Sequence, residues 1–268
     1  HLERRPGPAP APLAHVHGAD GLLGRGDQEL VVARSRRSRR RRALCRRGGA
    51  ALVDLVERLL KVGELARERH ALAAHKVGRL HDGEAALLDL LKEADKAIVV
   101  GLSMGGLVTL DLAAMYPEKI DSIVIAAAAV QLANPLAPGR PLSFLRPAIK
   151  LLFKNWATPP ERADKSLIQY DNNYHWAPMD AIDELLEYSG HGLKNLVKVK
   201  VPTLILQSRK DITVVPESAE WIYNGISTPK KDKRIIWYEV TSHEMFRDCE
   251  VDKIVADIEK YVKGRIGK

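Results

Sequence analysis

Cysteine is nearly absent from this chain of 268 residues, which contains only Cys45 and Cys249. Two cysteines exclude a disulfide-framed secreted scaffold and a four-thiolate metal site, and their spacing does not indicate a redox role. We expect Cys249 to be a buried free thiol. Long apolar runs are absent too, since none approaches the roughly 18 residues of a membrane-spanning helix. The sequence therefore predicts no membrane span and no stable membrane anchor.

The first 80 residues lack residue types that the rest of the chain uses freely. They contain no Phe, Trp, Tyr, Ile, Met, Thr or Asn. They carry 18 basic and 8 acidic residues, whereas residues 81–268 carry 24 basic and 26 acidic ones. The net charge of +8 therefore comes entirely from this N-terminal segment.

Three explanations of the N-terminal segment stay open. The run that begins at Arg34 and ends at Arg47 could neutralise phosphates in a nucleic-acid-binding arm, although it contains no aromatic residue for base stacking. The segment could instead be a disordered tail. We favour a reading-frame artefact, because the residues present have GC-rich codons and most of the absent ones have AT-rich codons. An artefact predicts arginines such as Arg37 and Arg40 at buried or strand positions without partners.

The N-terminus shows no signal peptide, because it is polar and Pro-rich and has no apolar core. We therefore expect a cytoplasmic protein, either a monomer or a homodimer, without a nucleic-acid partner. The chain begins at His1 rather than at Met, which leaves room for a natural N-terminus further upstream.

From Asp82 onward, apolar runs alternate with amphipathic segments. Buried strands are predicted by short, mostly β-branched runs at residues 96–102, 122–129, 203–208 and 234–240. Helices are predicted at residues 83–95, 104–120, 216–226 and 249–265, with a further amphipathic candidate at 51–74. The alternation predicts an α/β protein with a doubly wound, mostly parallel sheet.

Residues 131–195 interrupt this alternation with Pro, aromatic residues and short amphipathic pieces. This composition predicts an inserted helical lid. We therefore expect three parts: an atypical Arg-rich segment 1–81, which should supply the first strands of the core; an α/β core formed by 82–130 and 196–268; and the insertion 131–195.

The sequence Gly101-Leu102-Ser103-Met104-Gly105 is a G-x-S-x-G motif between a predicted buried strand and a predicted helix. That context is typical of a nucleophilic serine on a sharp strand-to-helix turn, where Gly101 and Gly105 avoid Cβ clashes. The free N–H groups at the helix N-terminus suit a developing oxyanion, and the Met104 N–H is one natural donor.

A nucleophilic serine needs a base and an acid that orients the base. Asp211 follows the strand 203–208 and His243 follows the strand 234–240, so both are predicted at the same sheet edge as Ser103. His175 and His191 lie in the insertion and fit less well. Asp248 is predicted to cap the last helix.

Three blocks carry a resemblance to a known family: GLSMGGLVTLDLAAMYPEKI, VPTLILQSRKDITVVPESAEWIYNGI and IIWYEVTSHEMFRDCE. In this order and spacing they resemble the carboxylesterase and monoacylglycerol-lipase branch of the α/β-hydrolases, over about residues 82–268. The resemblance implies the α/β-hydrolase fold, a Ser103–Asp211–His243 triad, a lid near residues 131–195, and ester hydrolysis without a metal or cofactor.

The N-terminal segment departs from that family. The family places its first core strands there, with an H-G-[FW] oxyanion loop roughly seventy residues before the serine, and nothing around Val32-Ala33-Arg34 fits. His17-Gly18 is the only such pair before the serine and lies too far upstream. The chain therefore shows no recognisable second oxyanion donor.

The insertion is apolar and aromatic, which favours an acyl chain over a charged substrate. Most of these residues should pack the insertion onto the core, and some should face the cleft. The candidates for the acyl pocket are Leu102, which lies beside the serine, and five residues of the insertion: Phe144, Phe153, Trp156, Trp176 and Met179.

These features predict a serine esterase or lipase that hydrolyses short- to medium-chain acyl esters of small molecules. A thioesterase or a carbon–carbon-bond hydrolase of the same fold would use the same triad. A non-catalytic binding protein on this fold would lack a triad member, and none is missing. A nucleic-acid-binding protein that uses the Arg-rich run is the remaining alternative.

Overall fold

The computed structural model describes residues 30–35, 76–137, 139–158, 161–170 and 175–266. Its strands are β1 (Leu30–Ser35), β2 (Lys96–Leu102), β3 (Ile120–Ala126), β4 (Asn155–Ala157), β5 (Trp176–Pro178), β6 (Thr203–Ser208) and β7 (Lys233–Tyr238). Its α-helices are α1 (Lys76–Leu90), α2 (Met104–Met115), α3 (Arg146–Leu152), α4 (Met179–Asn195), α5 (Ser218–Gly225) and α6 (Val251–Ile266). None of these helices has the length and apolarity that crossing a membrane requires.

The central sheet has five strands in the spatial order β1-β2-β3-β6-β7. The pairs β2–β3, β3–β6 and β6–β7 are parallel, and among the described strands of this sheet β1 alone runs antiparallel to its neighbour, with Leu30 opposite Gly101. Parallel neighbours need a crossover connection, so successive strands are joined through helices. The predicted mostly parallel sheet is confirmed.

Helices cover both faces of this sheet. On one face, Val99, Ile123 and Ile205 pack with residues of α1, α2 and α5 in one apolar cluster. On the other face, Val100 and Leu204 pack with Ile254 of α6. Because successive side chains of a strand point to opposite faces, β-branched runs such as Ile98-Val99-Val100 fill both layers.

The predicted strands agree closely with the observed ones, and the helices agree less well at their ends. β2 and β6 have the predicted bounds. α1 begins at Lys76 and ends at Leu90, rather than spanning 83–95, and α2 ends at Met115, two residues before Pro117. Proline removes a backbone donor and disfavours helical geometry in the residue before it, which explains the early end of α2.

β1 lies in the N-terminal segment, which is expected to supply the first strands of the core although no strand is predicted at these residues. Its residues Leu30–Ala33 are apolar, and Arg34 takes a strand position opposite Ala97. Arg37, Arg40, His17-Gly18 and the candidate helix 51–74 lie outside the described residues. The artefact hypothesis therefore stays a prediction.

The described residues of the insertion 131–195 contribute no strand to the central sheet. It contains α3, α4 and a separate two-stranded antiparallel sheet in which Trp156 of β4 lies opposite Ala177 of β5. Tyr188 of α4 donates a hydrogen bond to Asp111 of α2 over 2.7 Å. This contact fixes one end of the insertion against the helix that follows Ser103.

Candidate active site

Ser103 occupies the sharp turn between the end of β2 and the start of α2. Its backbone has φ +55° and ψ −118°. A non-glycine residue with positive φ is strained, and such strain is typical of functional turns. The turn is fixed on the neighbouring strand, because Ser103 N–H donates to the Ala126 carbonyl and Ala129 N–H donates to the Ser103 carbonyl.

Two glycines permit this turn. A Cβ on Gly101 would lie 2.2 Å from the Gly105 carbonyl oxygen and 2.4 Å from Thr109 Oγ1. A Cβ on Gly106 would lie 2.6 Å from the Ala128 Cβ. Gly106, which sequence analysis did not single out, lets α2 approach the chain after β3. We define residues 101–106 as the serine elbow.

The start of α2 offers backbone donors beside Ser103. The first N–H groups of a helix have no acceptor within the helix, and the helix dipole makes this end favourable for negative charge. Met104 is the first residue of α2. The Met104 N–H therefore lies directly after the serine at the electropositive helix end.

The structure brings together Ser103, His243 and Asp211, which follow three separate strands of the sheet. His243 Nε2 lies 3.0 Å from Ser103 Oγ, and His243 Nδ1 lies 2.9 Å from Asp211 Oδ2. All three residues are buried, at 7%, 7% and 5% exposure. An ionised carboxylate can only accept, so the proton of a neutral His243 sits on Nδ1 and Nε2 is the acceptor for the serine hydroxyl.

Both carboxylate oxygens of Asp211 accept hydrogen bonds from neighbouring groups. Its Oδ1 accepts the backbone N–H groups of Thr213 and Val214, at 3.0 and 2.8 Å. Its Oδ2 accepts Gln207 Nε2 at 3.0 Å in addition to His243. Gln207, at the end of β6, is a site residue that the sequence pattern did not indicate. We call residues 209–216 the acid loop.

His243 lies on a second loop, residues 239–248, which we call the histidine loop. The carboxylate of Glu250 accepts the N–H groups of Val240 and Thr241, at 3.0 and 2.9 Å. Burial alone would raise the pKa of Glu250, but these N–H groups and Lys253 outweigh it and lower the pKa. The loop also meets the end of β6, because Ser208 Oγ donates to the Thr241 carbonyl.

Asp248 has a different role from the predicted helix cap. Its carboxylate accepts the Cys249 N–H just before α6, but it also accepts donors from Ser242 and from Ala163 and Asp164 in the insertion. None of these donors belongs to α6, which begins at Val251, so none of these contacts is the predicted helix cap. The contacts with Ala163 and Asp164 join the histidine loop to the insertion.

The residues predicted to line an acyl pocket are spread over different environments. Phe144, Phe153 and Trp176 are exposed, at 72%, 58% and 51%. Leu102 and Met179 are buried, and Trp156 is half-buried. Their contact with an acyl chain stays a prediction.

Three further residues singled out in the sequence have no place in the triad. His175 is exposed on the insertion, and the side chain of His191 lies outside the described part of the chain. Cys249 is exposed, so the prediction of a buried thiol is wrong. It precedes α6 at a turn where the buried position belongs to Asp248. Among the described residues, no cluster of His, Cys, Asp and Glu is arranged to hold a metal ion.

Known proteins resemble this chain in sequence. The model of the family described as serine aminopeptidase, S33, a hydrolase family, matches residues 73–250. The chain belongs to this family. A carboxylesterase of Bacillus subtilis strain 168 is 27% identical to it over 163 residues, which are 61% of this chain and 62% of that protein. The chain thus matches less than two thirds of that relative's length.

Solved structures of other proteins share the fold. A structure solved for the metagenome-derived lipolytic enzymes LipS and LipT is 27% identical and has a TM-score of 0.59, covering 69% of this chain and 72% of its own. The monoacylglycerol lipase of Paleococcus ferrophilus is 18% identical and has a TM-score of 0.60, covering 74% and 78%. The α/β-hydrolase fold and the resemblance to the carboxylesterase and monoacylglycerol-lipase branch are confirmed.

Proposed function

We propose that this family member is a serine carboxylic-ester hydrolase in which Ser103, His243 and Asp211 are the catalytic triad. The observation that carries the proposal is the pair of hydrogen bonds through His243, at 3.0 Å to Ser103 Oγ and 2.9 Å to Asp211 Oδ2. A serine in a strained turn with this base and this acid is the arrangement that acyl transfer requires.

In the first half of the reaction, Ser103 Oγ attacks the carbonyl carbon of the ester while its proton passes to His243 Nε2. The tetrahedral intermediate carries its negative charge beside the Met104 N–H, which stabilises it. The bond from the carbonyl carbon to the alcohol oxygen then breaks. The leaving alcohol takes the proton from His243, and the acyl group stays on Ser103.

In the second half, water takes the place of the alcohol. His243 Nε2 removes a proton from the water while the water oxygen attacks the acyl carbon. The bond to Ser103 Oγ breaks, and the serine recovers its proton from His243. Asp211 keeps Nδ1 protonated and stabilises the imidazolium that forms in both halves.

The insertion 131–195 is proposed as a lid over this site, above the core of residues 82–130 and 196–268. Apolar and aromatic side chains on it suit an acyl chain better than a charged substrate. The Bacillus subtilis relative is named a carboxylesterase and the Paleococcus ferrophilus relative a monoacylglycerol lipase, which supports ester substrates. We propose short- to medium-chain esters of small molecules as substrates.

A substrate panel tests this proposal. We expect p-nitrophenyl esters to be hydrolysed with the highest kcat/KM between the butyrate and the octanoate, and we expect activity to persist in EDTA. The matched thioester and an aminoacyl p-nitroanilide, chosen because the family is described as an aminopeptidase, should be slower. Hydrolysis of the thioester or the anilide with no ester hydrolysis would overturn the proposal.

A further inference from the structure

Three consecutive backbone N–H groups lead into His243, and each donates to a carboxylate that follows it in the chain. Val240 and Thr241 donate to Glu250, at 3.0 and 2.9 Å, and Ser242 donates to Asp248 Oδ2 at 2.7 Å. The histidine loop therefore takes its shape from side chains as well as from its own backbone. In the serine elbow, by contrast, glycine packing and backbone hydrogen bonds are joined by one neutral side-chain donor, the Thr109 hydroxyl, which donates to the Gly105 carbonyl at 2.8 Å.

Asp248 is the more buried of the two carboxylates, with 1% exposure. Besides the Ser242 N–H, its Oδ2 accepts Ser242 Oγ at 2.8 Å. Burial alone would raise the pKa of this carboxyl, but the N–H groups of Ala163, Ser242 and Asp164 hold it well below its usual range. Asp248 is therefore a charged acceptor at neutral pH.

The same carboxylate reaches into the insertion. Asp248 Oδ2 accepts the Ala163 N–H at 2.8 Å, and Oδ1 accepts the Asp164 N–H at 3.1 Å. The buried Arg162 donates to the Arg247 carbonyl at 2.6 Å and pairs with Glu244 at 2.8 Å. Residues 161–164, which we call the bridging segment, are thus fastened to the histidine loop on both sides of His243.

The bridging segment also holds the acid loop. Glu161 Oε1 accepts the Ile212 N–H at 3.1 Å, and Oε2 accepts the Thr213 hydroxyl. The Glu161 carbonyl lies 2.7 Å from Ser242 Oγ, whose single proton is shared between this carbonyl and Asp248 Oδ2. One short stretch of the insertion therefore touches the residue after Asp211 and the residue before His243.

We propose that Asp248 is a positioning residue for His243, which it holds by pinning Ser242 to the bridging segment. This inference rests on the proposed function, because His243 is a base only if the triad operates. The physical reason is the narrow tolerance of the reaction, since a displacement of about 1 Å from the reacting geometry costs about 10²-fold in rate. The hydrogen bonds of Asp248 go to Ser242, which precedes His243, and to the bridging segment, so its effect is argued through the loop.

The test replaces Asp248 by Asn, which has nearly the same shape but only one acceptor oxygen and an added NH₂ donor facing the loop's own donors. With p-nitrophenyl butyrate, we expect Asp248→Asn to lower kcat by about 10- to 100-fold while KM changes by less than about 3-fold. Amide hydrogen exchange of Ser242, Ala163 and Asp164 should accelerate by at least about 10-fold.

The matched control is Asp111→Asn. Asp111 is also buried and also accepts side-chain donors from the insertion, Tyr188 at 2.7 Å and Asn195 at 3.4 Å, but it contacts neither triad loop. We expect it to lower Tm while leaving kcat within about 2-fold of wild type. An equal loss of kcat in both variants would overturn the proposal, since a general packing defect would then explain it.

Two milder variants keep the test decisive if Asp248→Asn does not fold. Ser242→Ala removes the hydroxyl between Asp248 and Glu161, and Glu161→Gln neutralises the bridging-segment carboxylate that accepts the acid-loop donors of Ile212 and Thr213. Each should lower kcat by about 3- to 10-fold at nearly constant KM, and unchanged kcat in both would overturn the proposal. If wild type itself hydrolyses no ester, the proposed function fails. The exchange rates of Asp248→Asn then decide separately whether Asp248 fixes the loop.

Discussion

The serine elbow and the two loops that carry Asp211 and His243 reach the same site by different means. The elbow is held by glycine packing, by backbone hydrogen bonds to the adjacent strand and by the Thr109 hydroxyl, which donates to the Gly105 carbonyl. The loops depend on distant partners, since Glu161 meets the acid loop across 51 residues and Ala163 meets Asp248 across 85. The elbow is therefore set by the strand and helix that flank it and by the neighbouring strand, whereas the two loops that carry the acid and the base are also braced by side chains of the insertion.

The largest expected effect comes from removing the nucleophile or the base of the proposed triad. Ser103→Ala and His243→Ala should each lower kcat on p-nitrophenyl butyrate by about 10⁶-fold, because the triad acts as a unit. For the same reason, the double variant should lose no more than either single one. Tm should stay close to the wild-type value. Additive losses in the double variant would mean that elbow and loop act independently.

Breaking the elbow alone should cost stability as well as activity. An alanine at Gly101 would place its Cβ 2.2 Å from a backbone oxygen of the same turn, so we expect Gly101→Ala to destabilise the protein by about 3 kcal/mol or more. Urea unfolding measures this. Gly190→Ala is the matched control, since Gly190 lies in α4 with open space around its Cβ position and should gain up to about 1 kcal/mol.

If Gly101→Ala proved as stable as Gly190→Ala, the elbow would not depend on glycine packing. The contrast with the side-chain-braced loops would then disappear.

The smallest expected effect is a change in stability at acidic pH. The pKa of Asp248 is lower in the folded protein than in the unfolded chain, so its contribution to stability is complete above the unfolded pKa of about 3.9 and is lost as pH falls toward the folded value. The stability difference between wild type and Asp248→Asn should thus be constant from pH 7 to 5 and shrink below pH 4. Urea unfolding across this range measures it.

Gly190→Ala, which changes no titratable group, should differ from wild type by the same amount at every pH. A difference for Asp248→Asn that grows as pH falls would contradict the depressed pKa.

The elements that sequence predicts well are those whose signals are local. β2 and β6 have short apolar centres rich in β-branched residues and are bounded by charge or proline, and the elbow motif lies between a strand and a helix as predicted. β1 was not predicted as a strand because its apolar residues are followed directly by arginines. The interpretation of Asp248 as a helix cap fell short because its partners in the bridging segment are more than 80 residues away. Gln207 gave no signal, since a glutamine at the end of a strand is common.

The most direct test of the account is labelling with a fluorophosphonate probe, read by intact-mass spectrometry. We expect one adduct on the wild-type protein, formed within minutes at neutral pH, and none on Ser103→Ala. His243→Ala should fold and label far more slowly. A folded wild-type protein that takes up no probe, or an adduct that persists in Ser103→Ala, would contradict the claim that Ser103 is an activated nucleophile.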